Sequence, residues 1–340
     1  MAHGYDDVID VRSPAEFQLD HVPGAISLPV LDNEQRAQVG TLYKADAFAA
    51  KITGAALVAR NSATHLQGAL QHRPGGWRPL VYCWRGGQRS GSFASILQQI
   101  GWRADVIEGG YRSYRRLVAE AMYDVPLPHS LIVLEGHTGT AKTDILQRLQ
   151  PLGTQVLDLE GLANHRGSVF GAMQGGQPSQ KAFEGALAAA MLRLDPSRPV
   201  VLEAESSKIG NLLIPPAIWK AMLVAPRIRI TAPLPARARY LAATYADIVS
   251  DAGGLGRILE TLVQFQGKER VAHWHELADQ GAFETLACEL MEYHYDPRYA
   301  KSGERSDATR LGEIVSDTLT PDALAKVAGR VAGLVAEAQF

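Results

Sequence analysis

Short apolar runs followed by stretches with helical spacing recur along the first third of the chain. The predicted buried strands cover residues 6–11, 25–28, 78–82 and 105–107. Helices are predicted from Ala15 and over residues 90–100. Strands that alternate with helices are typical of a parallel sheet covered on both faces, so the pattern indicates an α/β fold.

The same alternation restarts after residues 124–129, which contain two prolines. Further strands are predicted at 130–135, 155–159, 199–204 and 227–231, with a helix over 142–150. From about residue 236 the spacing is mainly helical. We therefore predict two α/β domains, over residues 1–124 and 129–340, the second with a helical C-terminal part.

Composition narrows the class of protein. A chain of 340 residues with 46% hydrophobic and 21% charged residues is typical of a soluble globular protein with more than one core. The net charge of −2 means that RNA would have to be held by a local basic patch. The sequence contains neither an apolar run of about 18 residues nor a basic leader, so we expect a cytoplasmic protein without a membrane anchor. Cys83 and Cys288 lack the spacing of a zinc site or a disulfide framework.

A cysteine begins the glycine-containing loop that follows the strand at 78–82. The loop reads Cys83-Trp84-Arg85-Gly86-Gly87-Gln88-Arg89-Ser90 and opens a helix. Backbone N–H groups of such a loop converge on an anion, and Arg85 and Arg89 add positive charge. Because these groups stabilise a thiolate, we expect Cys83 to be catalytic, although a buried structural cysteine beside a turn is the alternative.

A second loop joins the strand at 130–135 to the next helix. It reads Gly136-His137-Thr138-Gly139-Thr140-Ala141-Lys142-Thr143, which is a Walker A pattern with Ala141 in place of the second glycine. Its N–H groups would wrap a diphosphate, Lys142 would neutralise the outer oxygens, and Thr143 could hold Mg²⁺. Because the methyl group of Ala141 crowds the loop, nucleotide hydrolysis is not inferred.

Carboxylates near the second loop provide support for a metal ion. A single Walker B aspartate is missing, and Glu203 and Glu205 follow the strand instead. Either of them, or Asp158, would support Mg²⁺ through water. No direct protein cage for a metal ion is predicted.

Other polar residues are weaker candidates for ligand contacts. Those near predicted strand or helix ends are His165, Arg166, Ser179, Gln180, Lys181, Ser206 and Lys208. A satisfied loop histidine and simple helix capping at 179–181 are the alternatives. The candidates for RNA contact are Arg112, Arg115, Arg116, Arg237 and Arg239, with solvated helix faces as the alternative.

The first half resembles the rhodanese family. The similarity lies in Asp10-Val11-Arg12, in Glu16-Phe17 and in His21-Val22-Pro23-Gly24-Ala25 followed by Pro29. In such proteins the loop cysteine carries a persulfide or an equivalent chalcogen. Arg89 stands one position further from Cys83 than the basic residue of the common rhodanese loop. This wider loop resembles that of dual-specificity phosphatases, which fit a tetrahedral anion.

The two halves together resemble the bacterial tRNA 2-selenouridine synthases. Besides both loops, the segments that carry the similarity are 39–44, 108–111, 159–168, 177–181, 203–210 and 295–299. The resemblance implies that wobble 2-thiouridine in tRNA is S-geranylated by geranyl diphosphate and that selenium from selenophosphate then replaces the sulfur. It further implies that the P-loop, with Mg²⁺, binds the diphosphate. A selenophosphate-producing enzyme is an implied partner.

The same resemblance assigns the selenium step to Cys83, Arg85 and Arg89. Selenium would pass through a Cys83 perselenide, or a selenium species held in the loop would attack directly. The main alternative function is an ATP-dependent rhodanese-type sulfurtransferase acting on RNA. A phosphatase and an RNA-binding scaffold are further alternatives, and the intact Cys83, Arg89 and Lys142 count against the scaffold.

Overall fold

The structure, a computed structural model, describes residues 4–249, 252–298 and 309–338. The chain forms two compact units. The first consists of Met1–Val125 and Pro178–Arg193, and the second of Pro126–Gln177 and Leu194–Phe340. Residues 178–193, which the sequence pattern assigned to the second domain, therefore fold with the first unit. Tyr299, at the end of the 295–299 segment, lies outside the described residues.

The first unit is built on a four-stranded parallel sheet. Its elements are β1 (Asp7–Asp10), α1 (Pro14–Leu19), β2 (Ile26–Ser27), α2 (Asn33–Ala45), α3 (Ala47–Gln67), β3 (Pro79–Tyr82), α4 (Gln88–Ile100), β4 (Asp105–Val106), α5 (Tyr111–Ala119), a π-helical turn (Glu120–Asp124) and α8 (Gln180–Met191). The strand order is β2-β1-β3-β4. All four predicted strands are present, although shorter than predicted, whereas α2 and α3 were not predicted.

The core of the first unit lies between the sheet and its helices. Ile9 and Val81, from the two central strands, are fully buried together with Phe93 of α4. Trp77 and Trp102 meet edge to face with ring centroids 5.1 Å apart. This packing fixes the start of β3 against the end of α4, at the opposite ends of these elements from the loop with Cys83.

The second unit contains a five-stranded parallel sheet. Its first elements are β5 (Leu131–Glu135), α6 (Lys142–Leu149), a 3₁₀ turn (Gln150–Leu152), β6 (Gln155–Leu157), α7 (Leu159–Ala163), β7 (Val200–Glu203), the antiparallel pair β8 (Lys208–Ile209) and β9 (Leu212–Leu213), α9 (Pro216–Val224) and β10 (Arg227–Thr231). A predominantly helical part follows, with α10 (Leu234–Thr244), α11 (Ala246–Val249), α12 (Ala252–Glu260), α13 (Val263–Gln266), α14 (Lys268–Asp279), α15 (Phe283–Leu290), a π-helical turn (Met291–Tyr295), β11 (Arg310–Val315) and α16 (Pro321–Glu337). The strand order is β11-β10-β5-β7-β6.

The C-terminal part is mainly helical, as predicted, but β11 interrupts it. This strand pairs in parallel with β10 at the edge of the sheet. Only Ile314 of β11 is fully buried, so the strand carries too little apolar periodicity to be recognised from sequence. Within the described residues, no helix combines the length and the apolar composition needed to cross a bilayer.

Candidate functional site

Cys83 lies at the carboxyl end of β3, where the loop into α4 begins. Its side chain is 4% exposed, and the Ser90 hydroxyl donates to Sγ at 3.2 Å. Burial raises the pKa of the Cys83 thiol, but hydrogen bonds from the Ser90 hydroxyl and from the N–H groups of Ser90, Arg85 and Gly87 outweigh it, so the net pKa is lowered. The loop amides thus surround the sulfur and favour the thiolate.

A neighbouring glycine pair shapes the cysteine loop. Gly86 has φ +65°, and a Cβ there would lie 2.5 Å from the Ile107 carbonyl oxygen. Gly110 has φ +60°, and a Cβ there would collide with the Cys83 carbonyl oxygen. The Tyr111 N–H donates to that same oxygen at 2.8 Å. The segment Glu108–Tyr111, one of those that carry the family resemblance, therefore packs against the backbone of the cysteine loop and supports it.

The two arginines of the cysteine loop have different surroundings. Arg85 is exposed. Arg89 donates to Glu16 Oε2 at 2.9 Å, and that carboxylate also accepts from the Ser13 N–H at 3.1 Å. Burial raises the pKa of Glu16, but the Arg89 hydrogen bond and charge hold it below its usual value. Arg89 is thus anchored beside the loop, whereas Arg85 is accessible to an incoming anion.

The Asp10-Val11-Arg12 segment stabilises the same region from within. Arg12 and Asp10 form a fully buried ion pair at 2.6 Å, and the Arg12 guanidinium lies 4.0 Å from the centre of the Tyr111 ring. The Tyr111 hydroxyl donates to Asp20 at 2.6 Å. These residues hold α5 and the cysteine loop in register and do not face a ligand themselves.

The second loop connects β5 to α6. Lys142 Nζ donates to the Gly136 carbonyl oxygen at 3.0 Å, so the lysine folds back over its own loop. Ala141 adopts the left-handed conformation, with φ +60° and ψ +32°. A non-glycine residue there costs about 1–2 kcal/mol, which explains why a glycine is usual at this position of the pattern.

A buried arginine holds this P-loop in place. Arg237 of α10 is 5% exposed and donates to the Thr138 carbonyl oxygen at 3.1 Å. Arg237 also donates hydrogen bonds to both carboxylate oxygens of Asp296, and His137 Nδ1 lies 2.9 Å from Asp296 Oδ1. Burial raises the pKa of Asp296, but the hydrogen bonds from His137 and Arg237 lower it to about 2. Arg237, proposed above as an RNA contact, is instead an internal support of the P-loop.

Four carboxyl groups gather at the carboxyl ends of β6 and β7. Thr143 Oγ1 donates to Glu160 Oε2 at 2.6 Å, and the Glu160 N–H donates to Glu203 Oε1 at 2.7 Å. Burial and the nearby Asp158 raise the pKa of Glu203 to about 8. Burial and Glu160 raise that of Glu205 to about 9. Glu203 and Glu205 therefore hold protons near neutral pH, and the cluster can donate or accept them.

Two domain families match the chain. Residues 1–117 match the rhodanese-like domain, and residues 129–254 match the tRNA 2-selenouridine synthase AAA domain. A tRNA 2-selenouridine synthase from Hahella chejuensis is 37% identical over 323 residues, which cover 92% of this chain and 77% of the relative. The enzyme of that name from Chromohalobacter salexigens is 33% identical over 339 residues, with 90% and 91% covered. The one from Bdellovibrio bacteriovorus is 30% identical over 353 residues, with 89% and 90% covered.

The chain belongs to the tRNA 2-selenouridine synthase family. The predicted family and fold class are thereby confirmed, including a rhodanese-like first half and a P-loop-type second half. Within the described ranges of this family member, no three His, Cys, Asp or Glu side chains are grouped so that they could hold a metal ion.

Four predicted site residues of the second unit make contacts with residues of the same unit. His165 Nδ1 accepts from the Gly167 N–H at 3.1 Å, and burial lowers the pKa of His165. The Arg166 guanidinium lies 4.8 Å from the centre of the Tyr245 ring. The remaining pair, Ser206 and Lys208, is exposed and joined by a hydrogen bond of 2.6 Å within one turn.

Three other candidates lie in the first unit, at the start of α8. Ser179 caps this helix by accepting from the Ala182 N–H at 3.1 Å, and Gln180 donates to Glu184 at 3.0 Å. Lys181 is exposed. The structure therefore gives Ser179 the capping role that was the alternative interpretation, and it places this helix start in the first unit.

The five arginines predicted to contact RNA divide into two groups. Arg112, Arg116 and Arg239 are exposed. Arg115 is paired with Glu184, which is 1% exposed, and so has a structural role like Arg237. The sequence reasoning missed Glu160, Glu184 and Asp296. Signals existed for Glu160, which follows the predicted strand 155–159 directly, and for Asp296, which lies in the 295–299 segment of the family resemblance.

Proposed function

We propose that this chain converts wobble 2-thiouridine in tRNA to 2-selenouridine in two steps, through an S-geranyl intermediate. Geranyl diphosphate supplies the alkyl group and selenophosphate supplies selenium. The observation that carries the proposal is the position of Cys83 at the head of its loop, where the sulfur receives hydrogen bonds from the Ser90 hydroxyl and from loop N–H groups. Such a loop suits a tetrahedral anion, and the family to which the chain belongs is named for the selenium product.

The first step is assigned to the P-loop. The thiocarbonyl sulfur would attack C1 of geranyl diphosphate, the C1–O bond would break, and the nucleobase would lose its N3 proton. Loop N–H groups and Lys142 would neutralise the departing diphosphate, which makes an allylic carbon easier to attack. Alkylation converts a poor leaving group into a thiol that can leave in the second step.

The residues around the P-loop fit a magnesium ion. Glu203 Oε2 is buried and has no hydrogen-bond partner among the described residues, and Thr143 offers a hydroxyl nearby. Mg²⁺ usually takes one or two protein oxygens and completes its shell with water and phosphate. Thr143 and Glu160 or Glu203 would hold it, and the ion would supply further neutralisation of the diphosphate.

The second step is assigned to the cysteine loop. In direct attack, selenium of selenophosphate would bond to C2, geranyl thiol would leave with a proton, and water would release phosphate from selenium. In the alternative, a Cys83 perselenide would form, and the two electrons lost by sulfur and selenium would reduce the phosphorus group to phosphite. The perselenide would then bond to C2 as geranyl thiol leaves, and a thiol reductant would cleave the S–Se bond to release 2-selenouridine and free Cys83. The phosphorus product therefore distinguishes the two routes.

Recognition of tRNA is assigned to exposed cations. Arg112 and Arg116 lie on α5, which begins directly behind the cysteine loop, and Arg239 lies on α10. Their exposure suits contact with phosphates, and a net charge of −2 requires such local patches. A selenophosphate-producing enzyme would be a functional partner, and both substrates suit a cytoplasmic reaction.

The test is mass spectrometry of nucleosides from 2-thiouridine tRNA incubated with the full chain. Geranyl diphosphate alone should give S-geranyl-2-thiouridine, and added selenophosphate should give 2-selenouridine. Lys142→Ala should lose the geranyl product, Cys83→Ala should mainly lose selenium incorporation, and Cys288→Ala should change neither. Modification that proceeds with ATP and without geranyl diphosphate would favour the sulfurtransferase alternative.

A further inference from the structure

An exposed indole belongs to the cysteine loop. Trp84 directly follows Cys83 and is 38% exposed, although the cysteine beside it is buried. The loop is also open at Gly87, because a Cβ added there would meet no atom of the described residues within 4 Å apart from its chain neighbours. The loop therefore presents an aromatic ring to solvent next to a reactive sulfur.

The indole is held in a fixed orientation from beneath. Its ring stacks on that of Tyr111, with the ring centroids 5.1 Å apart and an interplanar angle of 29°. Tyr111 is 3% exposed and is itself fixed by its hydrogen bond to Asp20 and by the Arg12 guanidinium over its ring. Guanidinium, phenol and indole thus form a stack that begins in the core and ends in solvent. One face of the indole is covered by Tyr111, and the outer face is open to a planar ligand.

Two exposed arginines accompany the indole. Arg85 follows Trp84 in the loop, and the Arg112 N–H donates to the Trp84 carbonyl oxygen at 3.2 Å. An exposed aromatic ring with cations beside it is the arrangement by which proteins stack an unpaired base and hold the phosphates next to it. Tyr111 cannot take this role, because its ring is buried.

We propose that the outer face of Trp84 stacks on the wobble base and so brings its C2 to the cysteine loop. This inference rests on the proposed function and adds the residue that positions the nucleobase in the selenium step. A base inside a duplex is closed to such an approach, whereas the bases of an anticodon loop are unpaired and can be turned outward. Consecutive Cα atoms are roughly 3.8 Å apart, so a base on the indole lies within reach of a selenium species held by the loop.

A protein that delivers selenophosphate is the competing occupant of this surface. The exposed aromatic area is one ring, and the residues that follow it in the loop, Arg85, Gly87 and Gln88, are exposed and charged, small or polar. A single ring among such residues suits one planar ligand better than the apolar centre of a protein interface. The observations therefore favour a base.

Selenium exchange on a defined RNA tests the stack. The full chain would receive selenophosphate and an anticodon stem-loop RNA that carries S-geranyl-2-thiouridine, and mass spectrometry would follow 2-selenouridine. Trp84→Leu removes the aromatic face, and Trp84→Phe keeps a smaller one. Phe48→Leu is the matched control, because Phe48 is an aromatic residue of α3 in the same unit and is 73% exposed. The rate at which iodoacetamide alkylates Cys83 reports whether the loop is intact in each variant.

We expect Trp84→Leu to lower kcat/KM for selenium exchange by about tenfold or more and Trp84→Phe to recover most of that loss, because stacking requires a ring. Phe48→Leu should match the wild type, and all variants should alkylate Cys83 at the same rate. A wild-type rate in Trp84→Leu would overturn the inference and leave the proposed function standing. If the wild type itself forms no 2-selenouridine, the proposed function is overturned instead.

The source of selenium distinguishes the two occupants. The loss in Trp84→Leu should be the same whether selenophosphate is added free or is made in the reaction by the selenophosphate-producing enzyme. A loss seen only with the enzyme would overturn the inference, since the indole would then dock a protein.

Fluorescence keeps the test informative if Trp84→Leu disturbs the loop. Saturating stem-loop RNA should quench the tryptophan emission of the wild type, because a stacked base contacts the indole directly. The chain has five tryptophans, and Trp84→Phe removes only the one at the loop. The quenching should therefore be lost in Trp84→Phe, and equal fractional quenching in the two proteins would overturn the inference.

Discussion

Arg237 binds both carboxylate oxygens of Asp296, at 3.0 and 2.6 Å, and the same guanidinium reaches the carbonyl oxygen of Thr138. Arg237 and Thr138 are 99 positions apart in the sequence. The shape of the phosphate loop therefore depends on α10 and on the residue after the π-helical turn, both of which lie between β10 and β11 in the sequence. The helical part of the second unit thus helps to build the site.

Asp296→Asn should destabilise the protein by about 2 kcal/mol, because it leaves the buried Arg237 without an opposite charge. Denaturant unfolding would measure this, and the affinity for inorganic diphosphate should fall in parallel. Arg239→Ala, on the exposed side of the same helix, should change the free energy of unfolding by less than about 0.5 kcal/mol. Equal stability of Asp296→Asn and wild type would contradict the supporting role.

Ser90→Ala should raise the pKa of the Cys83 thiol, since it removes the hydroxyl that donates to Sγ while the burial remains. Alkylation by iodoacetamide, followed by mass spectrometry as a function of pH, would show a slower reaction near pH 7. Cys288 is an internal control, because burial raises its pKa and the substitution lies elsewhere. An unshifted pH profile for Cys83 would mean that the amides alone hold the thiolate.

Ala141→Gly should stabilise the protein by about 1 kcal/mol, because glycine adopts φ +60° without the steric cost that alanine has there. The expected gain is the steric energy relieved in the folded state minus the entropic cost that arises because glycine has more conformational freedom in the unfolded chain. Ala243→Gly, in the last turn of α10, should instead destabilise, by less than about 1 kcal/mol. Thermal unfolding of both variants would check the opposite signs.

Glu205→Gln should change how stability depends on pH. The folded protein keeps the Glu205 proton up to about pH 9, whereas an unfolded glutamate loses it near about 4.3. Between these values the folded state binds more protons, so this group's contribution to stability is present at low pH and is lost as pH rises. The variant should gain about 1 kcal/mol or more over wild type at pH 8 relative to pH 5. Exposed Glu292→Gln should show no such difference.

Both anion-binding loops could be predicted from sequence because each is formed by consecutive residues. Eight consecutive residues define the cysteine loop, and the direction of its amides follows from the turn into a helix. The same is true of the P-loop between β5 and α6. The strands that precede the two loops are apolar runs bounded by glycine or polar residues, so the sequence pattern predicted these strands as well.

Partnerships across long sequence distances could not be predicted. The carboxylates predicted to lie near Thr143 were Asp158, Glu203 and Glu205, whereas the side chain that bonds Thr143 is Glu160 of α7. Likewise, nothing local distinguishes Arg115, which is partly buried and paired with Glu184, from the exposed Arg116. Which cation of a helix meets a buried acid is decided by tertiary packing.

The position of α8 has a consequence for how the protein is made. Glu184 of this helix receives hydrogen bonds from Tyr123 and Arg115, so the rhodanese-like unit is complete only when residues 178–193 have emerged from the ribosome. At roughly 5–20 residues per second, the ribosome begins the P-loop half several seconds before it has made the residues that the rhodanese-like unit needs to finish folding. A fragment truncated at residue 125 would expose an apolar, partly unpaired surface and should require a chaperone or aggregate.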